Sequence, residues 1–284
     1  MLLMPHFSRR ALLAVLLLLL AAGALLAQRR GRGGFGGFGG GFGGGGGREL
    51  PSEFPKEGEF HFLRVEYQDG GGGGRGRRGG FGRGWWMQDW PEADMHFSQG
   101  LKRLTRFDVA EERHMPLTDD HLYEYPWIYA TQTGYWNLDD KEVARLRDYL
   151  ERGGFIMTDD FHGPDEWQVF AETMERVFPG QVIDDLPQDH PMLHVLYDIN
   201  ERTFIPGLRH LSYGPGGKMV ARPQYSPPYW RAMYDSKQRL VVAVNFNQDV
   251  GDAWEHADLP EYPEEMTRLA YYFGINYLVY SITH

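Results

Sequence analysis

Two adjacent aspartates and a histidine form the most suggestive chemical group in the sequence GGFIMTDDFHGPDEW, which spans Gly153 to Trp167. Asp159 and Asp160 follow a short apolar run that predicts a strand over 155–158. Neighbouring carboxylates repel, so one of them can hold a proton near neutral pH and act as an acid or a base, or both can bind a cation. Because aspartate is also a favoured turn and capping residue, the sequence favours a turn first and a pocket-lining role second.

A second group, DHPMLH at Asp189 to His194, offers two imidazoles four residues apart. That spacing binds zinc when it lies on a helix, but Pro191 and the following VLYDI predict a turn and a strand. We therefore expect no metal pair here. His190 remains a pocket residue, and it joins Asp159 and Asp160 as a catalytic candidate.

The segment NFNQDVGDAWEH, Asn245 to His256, is dense in oxygen-bearing side chains directly after a predicted strand. It does not match a calcium loop, because Val250 stands where the obligatory glycine belongs and Glu255 falls one place early. Two interpretations remain for its carboxylates: they form the rim of an acidic pocket, or they cap their own loop.

The 284-residue chain contains no cysteine, which excludes disulfides, thiolate metal ligands and a cysteine nucleophile. It also lacks a Gly-x-Ser-x-Gly elbow, a P-loop, and a Gly-x-Gly-x-x-Gly turn between a predicted strand and a helix. Serine hydrolase, NTPase and dinucleotide-binding functions therefore lose their usual sequence support.

The elements that must position these groups alternate between strand and helix. Strands are predicted at 60–67, 126–132, 155–158 and 181–186, helices at 91–105, 138–152 with Asn137 as cap, 165–178 and 263–280, and a hairpin at 229–246. Alternation of this kind implies parallel pairing with right-handed crossovers. The predicted fold class is α/β, a three-layer sandwich with a mostly parallel sheet and an antiparallel extension, whose ligands would collect at the carboxyl ends of the strands.

Charge and composition divide the chain. Residues 1–86 carry 12 Lys and Arg against 6 Asp and Glu, whereas residues 87–284 carry 17 against 33. The acidic part should repel polyanions, so we expect no nucleic-acid binding by the folded domain.

The first 57 residues predict export rather than a folded core. Residues 1–27 have the basic start, leucine-rich run and small residues of a secretory signal peptide, with an uncleaved signal anchor as the alternative. Residues 28–57 predict a disordered Gly/Arg/Phe-rich linker, and residues 58–284 a single domain with a disordered glycine-rich loop at 69–84. We expect a periplasmic or secreted protein that touches a membrane only through the N-terminal segment, if that segment stays uncleaved.

From about Phe60 to His284 the chain resembles a bacterial domain-of-unknown-function family, DUF4159. The resemblance rests on the ordered segments YPWIYATQTGYWNLDDKEVARLRDYLERGGFIMTDDFHG, LPQDHPMLH, NFNQDVGDAWE and FGINYLVYSITH. It implies a flavodoxin-like α/β sandwich similar to class I glutamine amidotransferases. The residues that match its motifs are Asp159, Asp160, His190, Asn247, Asp249, Asp252, Trp254, Glu255 and His284, and the last six of these are our ligand-binding candidates.

Amidotransferases of that kind need a cysteine nucleophile, which this chain lacks, so the resemblance carries no reaction over. We predict a non-catalytic amidotransferase-like binding or scaffold domain at the cell envelope. Its partner would be a small molecule or an envelope protein, and the sequence names no cofactor. The alternative is a carboxylate/histidine hydrolase acting on an envelope or carbohydrate substrate, with Asp160 and His190 as acid–base groups and Asp249 and Asp252 as metal ligands or orienting groups.

Overall fold

Eleven strands are present in the computed structural model, which describes residues 59–70, 84–222 and 227–284. They are β1 Glu59–Phe60, β2 Leu63–Glu66, β3 Asp108–Val109, β4 Arg113–Pro116, β5 Trp127–Thr131, β6 Phe155–Phe161, β7 Asp184–Asp185, β8 Leu211–Tyr213, β9 Met219–Ala221, β10 Tyr229–Tyr234 and β11 Leu240–Phe246. Seven of them form the central sheet in the order β4-β2-β5-β6-β11-β10-β7. The sheet is parallel from β4 to β11, and β10 runs antiparallel to both of its neighbours.

Helices cover both faces of this sheet. They are α1 Glu92–Leu104, α2 Asp140–Glu151, α3 Gly163–Val177, α4 Val250–Glu255 and α5 Glu264–Thr283. Side chains of α1, α4 and α5 share one apolar core with one face of the sheet, and those of α2 and α3 share a second core with the other face. The predicted three-layer α/β sandwich, with a mostly parallel sheet and an antiparallel extension, is therefore confirmed.

Strand β5 shows why the sheet lies at the centre of the molecule. All five of its residues are buried, as expected for a parallel strand covered on both sides. Trp127 and Tyr129 enter the core with α1, whereas Ile128 and Ala130 enter the core with α2 and α3. Strand alternation thus supplies both cores from a single apolar run.

Several local boundaries differ from the prediction, and the expected strand over 181–186 is reduced to β7, Asp184–Asp185. The expected strand over 60–67 is divided, because β1 pairs with β3 whereas β2 pairs with β4 and β5. The prediction that Asn137 caps the next helix is wrong: Asp139 caps α2 and accepts from the backbone amides of Lys141 and Glu142. The Glu142 side chain returns to the Asp139 amide, so the capping-box pattern of an acceptor with Glu three residues later decided the start of the helix.

The predicted signal segment at 1–27 and linker at 28–57 lie outside the described residues. The predicted loop at 69–84 is described only at its two ends, where Asp69 forms a bridge with Trp136 and accepts a 2.9 Å hydrogen bond from the Trp85 amide. Within the described part of the chain, no helix has both the length and the apolar character that crossing a membrane requires.

A buried ion pair joins the sheet to α1. Arg64 on β2 is wholly buried, and its guanidinium donates to both carboxylate oxygens of Asp94 on α1. Two further bonds, of 3.1 and 2.6 Å, reach the carbonyls of Trp86 and Gln88. Arg64 therefore fixes the position of the segment that precedes α1.

Removing one partner of this pair should strongly destabilise the fold. We expect Asp94→Ala to lower the free energy of unfolding by roughly 3–5 kcal/mol, because the Arg64 charge would stay buried without a counter-ion. Urea unfolding followed by circular dichroism measures this change. The matched control is Asp148→Ala, which removes an exposed ion pair with Arg152 and should have little effect; equal losses in the two variants would contradict the prediction.

Candidate functional site: a buried acidic cluster

A β-bulge re-aims the two adjacent aspartates. The β6–β11 register shifts between the pairs Thr158–Val244 and Phe161–Phe246, so two residues of β6 lie opposite one residue of β11. Asp160 adopts a left-handed backbone with φ of 49°. A bulge disrupts the regular alternation of a strand and turns a side chain in a new direction, commonly beside a functional site.

The prediction that the strand ends at Thr158 and that the aspartates form a turn is therefore wrong. Both residues belong to β6, which continues to Phe161. The reason is that Phe161 keeps its pairing with β11 and remains in the core beside Phe170, at a ring distance of 4.7 Å.

Asp159 is wholly buried, and only one of its two carboxylate oxygens has hydrogen-bond partners. Its Oδ2 accepts a 3.1 Å hydrogen bond from the Tyr129 hydroxyl and a 2.8 Å bond from the Gly251 amide. Its Oδ1 has no hydrogen-bond partner among the described residues. Burial, followed by the neighbouring Asp160 charge, raises the pKa of Asp159 to about 7.

Asp160 is paired much more fully. Its Oδ1 lies 2.6 Å from Arg209 Nη2 and 3.0 Å from His162 Nε2, and its Oδ2 accepts from the Gln132 side-chain amide. Burial alone would raise the pKa of Asp160, but His162 and Arg209 hold it below its ordinary value. The bulge thus produces an ionised carboxylate beside one that titrates near neutrality, Asp159.

The loop after β11 brings further carboxylates to the same edge. Asp249 caps α4 by accepting from the Asp252 amide at 3.1 Å, and Asp252 accepts a 2.6 Å bond from the Leu208 amide. Burial is the largest cause of the raised pKa of both carboxyls, and Asp160 adds to it. Burial and Asp252 raise the pKa of Glu255 to about 7.

The segment 205–210 covers these carboxylates. Asp249 donates its amide to the Ile205 carbonyl at 3.0 Å, and the Tyr262 hydroxyl donates to the Pro206 carbonyl at 2.6 Å. A Cβ at Gly207 would overlap the Asp249 carboxylate and lie 2.9 Å from Asp252 Oδ2. Only glycine lets the backbone approach so closely.

Asp89 is a member of the site that the sequence did not reveal. It follows Gln88, whose carbonyl Arg64 holds, and it has a left-handed backbone with φ of 61°. One of its oxygens lies within 4.8 Å of carboxylate oxygens of Asp249 and Asp252. Burial raises the pKa of Asp89 well above its ordinary value, and Asp252 and other neighbouring carboxylates raise it further.

Together these residues form what we call the acidic cluster. Its members are Asp89, Asp159, Asp160, Asp249, Asp252 and Glu255. Four are buried, whereas Asp89 and Glu255 are partly buried. The basic side chains that contact them are Arg209 and His162, both on Asp160, and His256, which lies 3.5 Å from Glu255. Carboxyl groups therefore outnumber basic side chains at the site.

His190 and His284 lie elsewhere. The His190 ring packs 5.9 Å from Tyr234 and 5.5 Å from Tyr280, and His284 stacks on Tyr280 at 4.5 Å. His284 borders a small cavity at the amino ends of β6 and β11, whereas Asp160 lies at the carboxyl end of β6. The structure thus does not bring His190 to Asp160.

Asn247 and Trp254 lie close to the acidic cluster and make structural contacts. Asn247 Oδ1 accepts from the Gly163 amide at 2.9 Å, and its Nδ2 donates to the Pro227 carbonyl at 2.8 Å. Trp254 is wholly buried and packs 4.5 Å from the Phe97 ring. These two residues join loops and fill the core on the α1 side.

Backbone strain gathers around the same edge of the sheet. Four non-glycine residues there have positive φ angles, namely Asp89, Gln132, Asp160 and Asn247. Such conformations cost free energy and concentrate at functional sites. No sequence pattern predicted these angles, although three of the four are Asp or Asn, the residues that tolerate the left-handed region best.

The family model for Domain of unknown function (DUF4159) matches residues 61–282. The chain belongs to this family. A comparison with curated proteins found no match. Every member of the acidic cluster lies inside the region matched by DUF4159. Since the family description names no reaction, the function must be argued from the chemistry of the site.

The pKa of Asp159 predicts an unusual dependence of stability on pH. Between its ordinary value near 4 and its folded value of about 7, the folded chain holds a proton that the unfolded chain releases. Asp159 should therefore lower the free energy of unfolding by about 1.4 kcal/mol for each pH unit across this window as the pH rises.

We expect Asp159→Asn to lose this contribution, so that its stability relative to wild type improves from about pH 4 to pH 7 and then levels off. Urea unfolding at several pH values, in the presence of a chelator, measures the difference. Glu255, with a pKa of about 7, titrates in both proteins, so its contribution cancels in the difference. If the free energy of unfolding varied with pH in the same way for both proteins, the raised pKa of Asp159 would be contradicted.

Proposed function

We propose that this DUF4159 chain is an exported, non-catalytic binding domain of the cell envelope whose acidic cluster receives a positively charged ligand. The observation that carries the proposal is the excess of enclosed carboxylates over the cations that face them. Arg209 is the one Arg or Lys side chain in the described residues that forms an ion pair with the cluster, and it is committed to Asp160.

Enclosed negative charge of this kind is costly. A buried carboxylate loses several kcal/mol of solvation unless a cation or hydrogen-bond donors replace the water. A domain that needed only stability would place apolar side chains there, so carboxylates with strongly shifted pKa values favour a functional role. A positively charged ligand would repay the cost by neutralising them.

The absence of cysteine supports a binding role rather than amide transfer. The amidotransferase-like character of the sandwich is part of this proposal, and its support is the set of parallel strands whose carboxyl ends carry the acidic cluster. Export is supported by the signal-like residues 1–27 and by the glycine-rich residues that follow them.

The proposal predicts stabilisation by cations and not by anions. Probes are agmatine, putrescine, Ca²⁺, Mg²⁺ and Mn²⁺, with glutamate and galacturonate as anionic counterparts, all at constant ionic strength. We expect at least one cationic probe to raise the Tm of the wild-type protein, because a ligand at one hundred times its Kd adds about 2.7 kcal/mol to the free energy of unfolding. Differential scanning fluorimetry measures the shift.

The matched variants are Asp252→Asn, within the acidic cluster, and Asp184→Asn, an exposed aspartate on β7. The Tm shift should disappear in the first and persist in the second. A panel in which no cation shifts the Tm, or in which Asp252→Asn responds like wild type, would refute the binding role.

One observation favours the alternative of a carboxylate/histidine hydrolase. His162 Nε2 lies 3.0 Å from the ionised Asp160, a geometry that can orient an imidazole as a general base, and Asp159 beside it has a pKa of about 7. In this alternative His162 has the acid–base role that the sequence suggested for His190.

A hydrolase would release reducing sugars or peptides from envelope polysaccharide or peptidoglycan. We expect no release above background by the purified wild-type chain, since the proposed domain is non-catalytic. Release that falls by about 100-fold or more in His162→Gln, the size of a general-base contribution, would replace the binding proposal with the hydrolase.

A further inference from the structure

Three members of the acidic cluster are arranged like the ligands of one metal ion. Oxygens of Asp89, Asp249 and Asp252 all lie within 4.8 Å of one another. Two ligands on opposite sides of a Ca²⁺ ion, each at about 2.4 Å, stand about 4.8 Å apart, and adjacent ligands stand closer. One cation can therefore touch all three carboxylates without a large movement of the backbone.

Unsatisfied oxygens supply a second, independent observation. Asp89 Oδ2 and Asp159 Oδ1 are buried and have no hydrogen-bond partner among the described residues. Gly251 lies between these two carboxylates, since a Cβ on it would lie 3.4 Å from Asp89 Oδ2 and 3.7 Å from Asp159 Oδ2. Buried acceptors are almost always satisfied in folded proteins, so the unsatisfied oxygen of Asp89, a residue grouped with Asp249 and Asp252, indicates a positively charged ligand.

The carboxyl groups also contact one another. Glu255 lies within hydrogen-bonding reach of both Asp89 and Asp252, and Asp249 within reach of Asp160. Two carboxyl groups at that distance need either a shared proton or a shared cation. A divalent ion bound by several of them removes the repulsion in one step.

The chain's own Lys and Arg side chains do not neutralise these three carboxylates. In the described ranges 59–70, 84–222 and 227–284, no Lys or Arg side chain forms an ion pair with Asp89, Asp249 or Asp252. The nearest imidazole, His256, is 3.9 Å from Asp252 Oδ1, beyond hydrogen-bond distance.

We propose that Asp89, Asp249 and Asp252 bind one divalent cation of the Ca²⁺, Mg²⁺ or Mn²⁺ class, with Glu255 beside them as a further ligand. Carboxylate oxygens select hard cations, whereas zinc prefers histidine and cysteine. Two imidazoles within 4.8 Å of these carboxylates, His162 and His256, contact Asp160 and Glu255 instead. This inference rests on the proposed function and names its ligand class. The cation joins the segment before α1 to the N-terminus of α4, and it neutralises charge that the fold encloses.

The test uses the full chain after treatment with EDTA and dialysis, with Mn²⁺, Ca²⁺ and Mg²⁺ alone as probes. We expect saturable binding of one equivalent by isothermal titration calorimetry, and broadening of the Mn²⁺ electron paramagnetic resonance signal. Asp89→Asn and Asp249→Asn should each raise the Kd by about tenfold or more. Asparagine tolerates the left-handed backbone at 89 and caps helices well at 249, so both variants should fold.

A metal ligand is distinguished from a merely structural aspartate if Asp89→Asn and wild type change their order of stability when the metal is added. In chelator, Asp89→Asn should be more stable than wild type, because the cost of enclosing the Asp89 carboxyl among other carboxyls is gone. With saturating Mn²⁺ the order should reverse, because wild type gains more from the ion. The control Asp184→Asn should follow wild type in both conditions.

Two outcomes overturn the inference: no divalent cation binds wild type, or Asp89→Asn and Asp249→Asn bind it as tightly as wild type does. The organic cations agmatine and putrescine then show whether the metal site alone is wrong or the cationic binding role is wrong as well. If agmatine or putrescine still raises the Tm of wild type and not of Asp252→Asn, the metal site is wrong and the cationic binding role stands. If no cation of any kind binds, both fail together.

Discussion

Repulsion among carboxylates held away from water is the constraint on which this structure depends. The acidic cluster gathers side chains from the segment before α1, the end of β6 and the start of α4, and each would be better solvated alone. Their proximity is maintained by the apolar cores on both faces of the sheet, which bury far more surface than the site occupies. The stability of the sandwich therefore sustains a local arrangement that is itself unfavourable.

The fold meets part of this constraint with backbone amides as hydrogen-bond donors. Asp159 accepts from the Gly251 amide, Asp252 from the Leu208 amide, and Asp249 from the amide at the start of α4. Such bonds hold each carboxylate in place without adding a positive charge. Side-chain donors serve Asp159, through the Tyr129 hydroxyl, and Asp160. Despite its burial, Asp160 has a lowered pKa, because His162 and Arg209 contact its carboxylate.

Position along the sheet explains which predicted site residues come together. Asp159 and Asp160 lie at the end of β6, and Asp249, Asp252 and Glu255 follow β11; the carboxyl ends of these two strands are adjacent because the strands are parallel neighbours. The sequence reasoning could predict this grouping because it depends only on strand order. The two other candidate histidines, one in the 187–194 loop and one at the end of α5, pack at the amino end of the same strands.

Asp89 and Arg209 show what sequence reasoning could not reach. Neither follows a strand of the central sheet, and each is brought to the site by contacts made far away in sequence. Arg64 holds the backbone before Asp89 through two carbonyls, and Gly207 allows the segment that carries Arg209 to lie against Asp249. These are close-packing relations, which leave no periodic signal in the chain.

The amino-acid sequence by itself determined the layered α/β class, the family, the lack of any cysteine chemistry and the edge of the sheet where acidic groups would meet. Hydrophobic periodicity, composition and strand order are local properties, and a reader of the chain has access to all of them. Only the tertiary structure decided that the paired aspartates form a bulge inside β6, that His162 rather than His190 accompanies Asp160, and that Asp89 completes the cluster. Those outcomes depend on register, on left-handed backbone angles and on contacts between distant segments, whose free energies exist only once the two cores have formed.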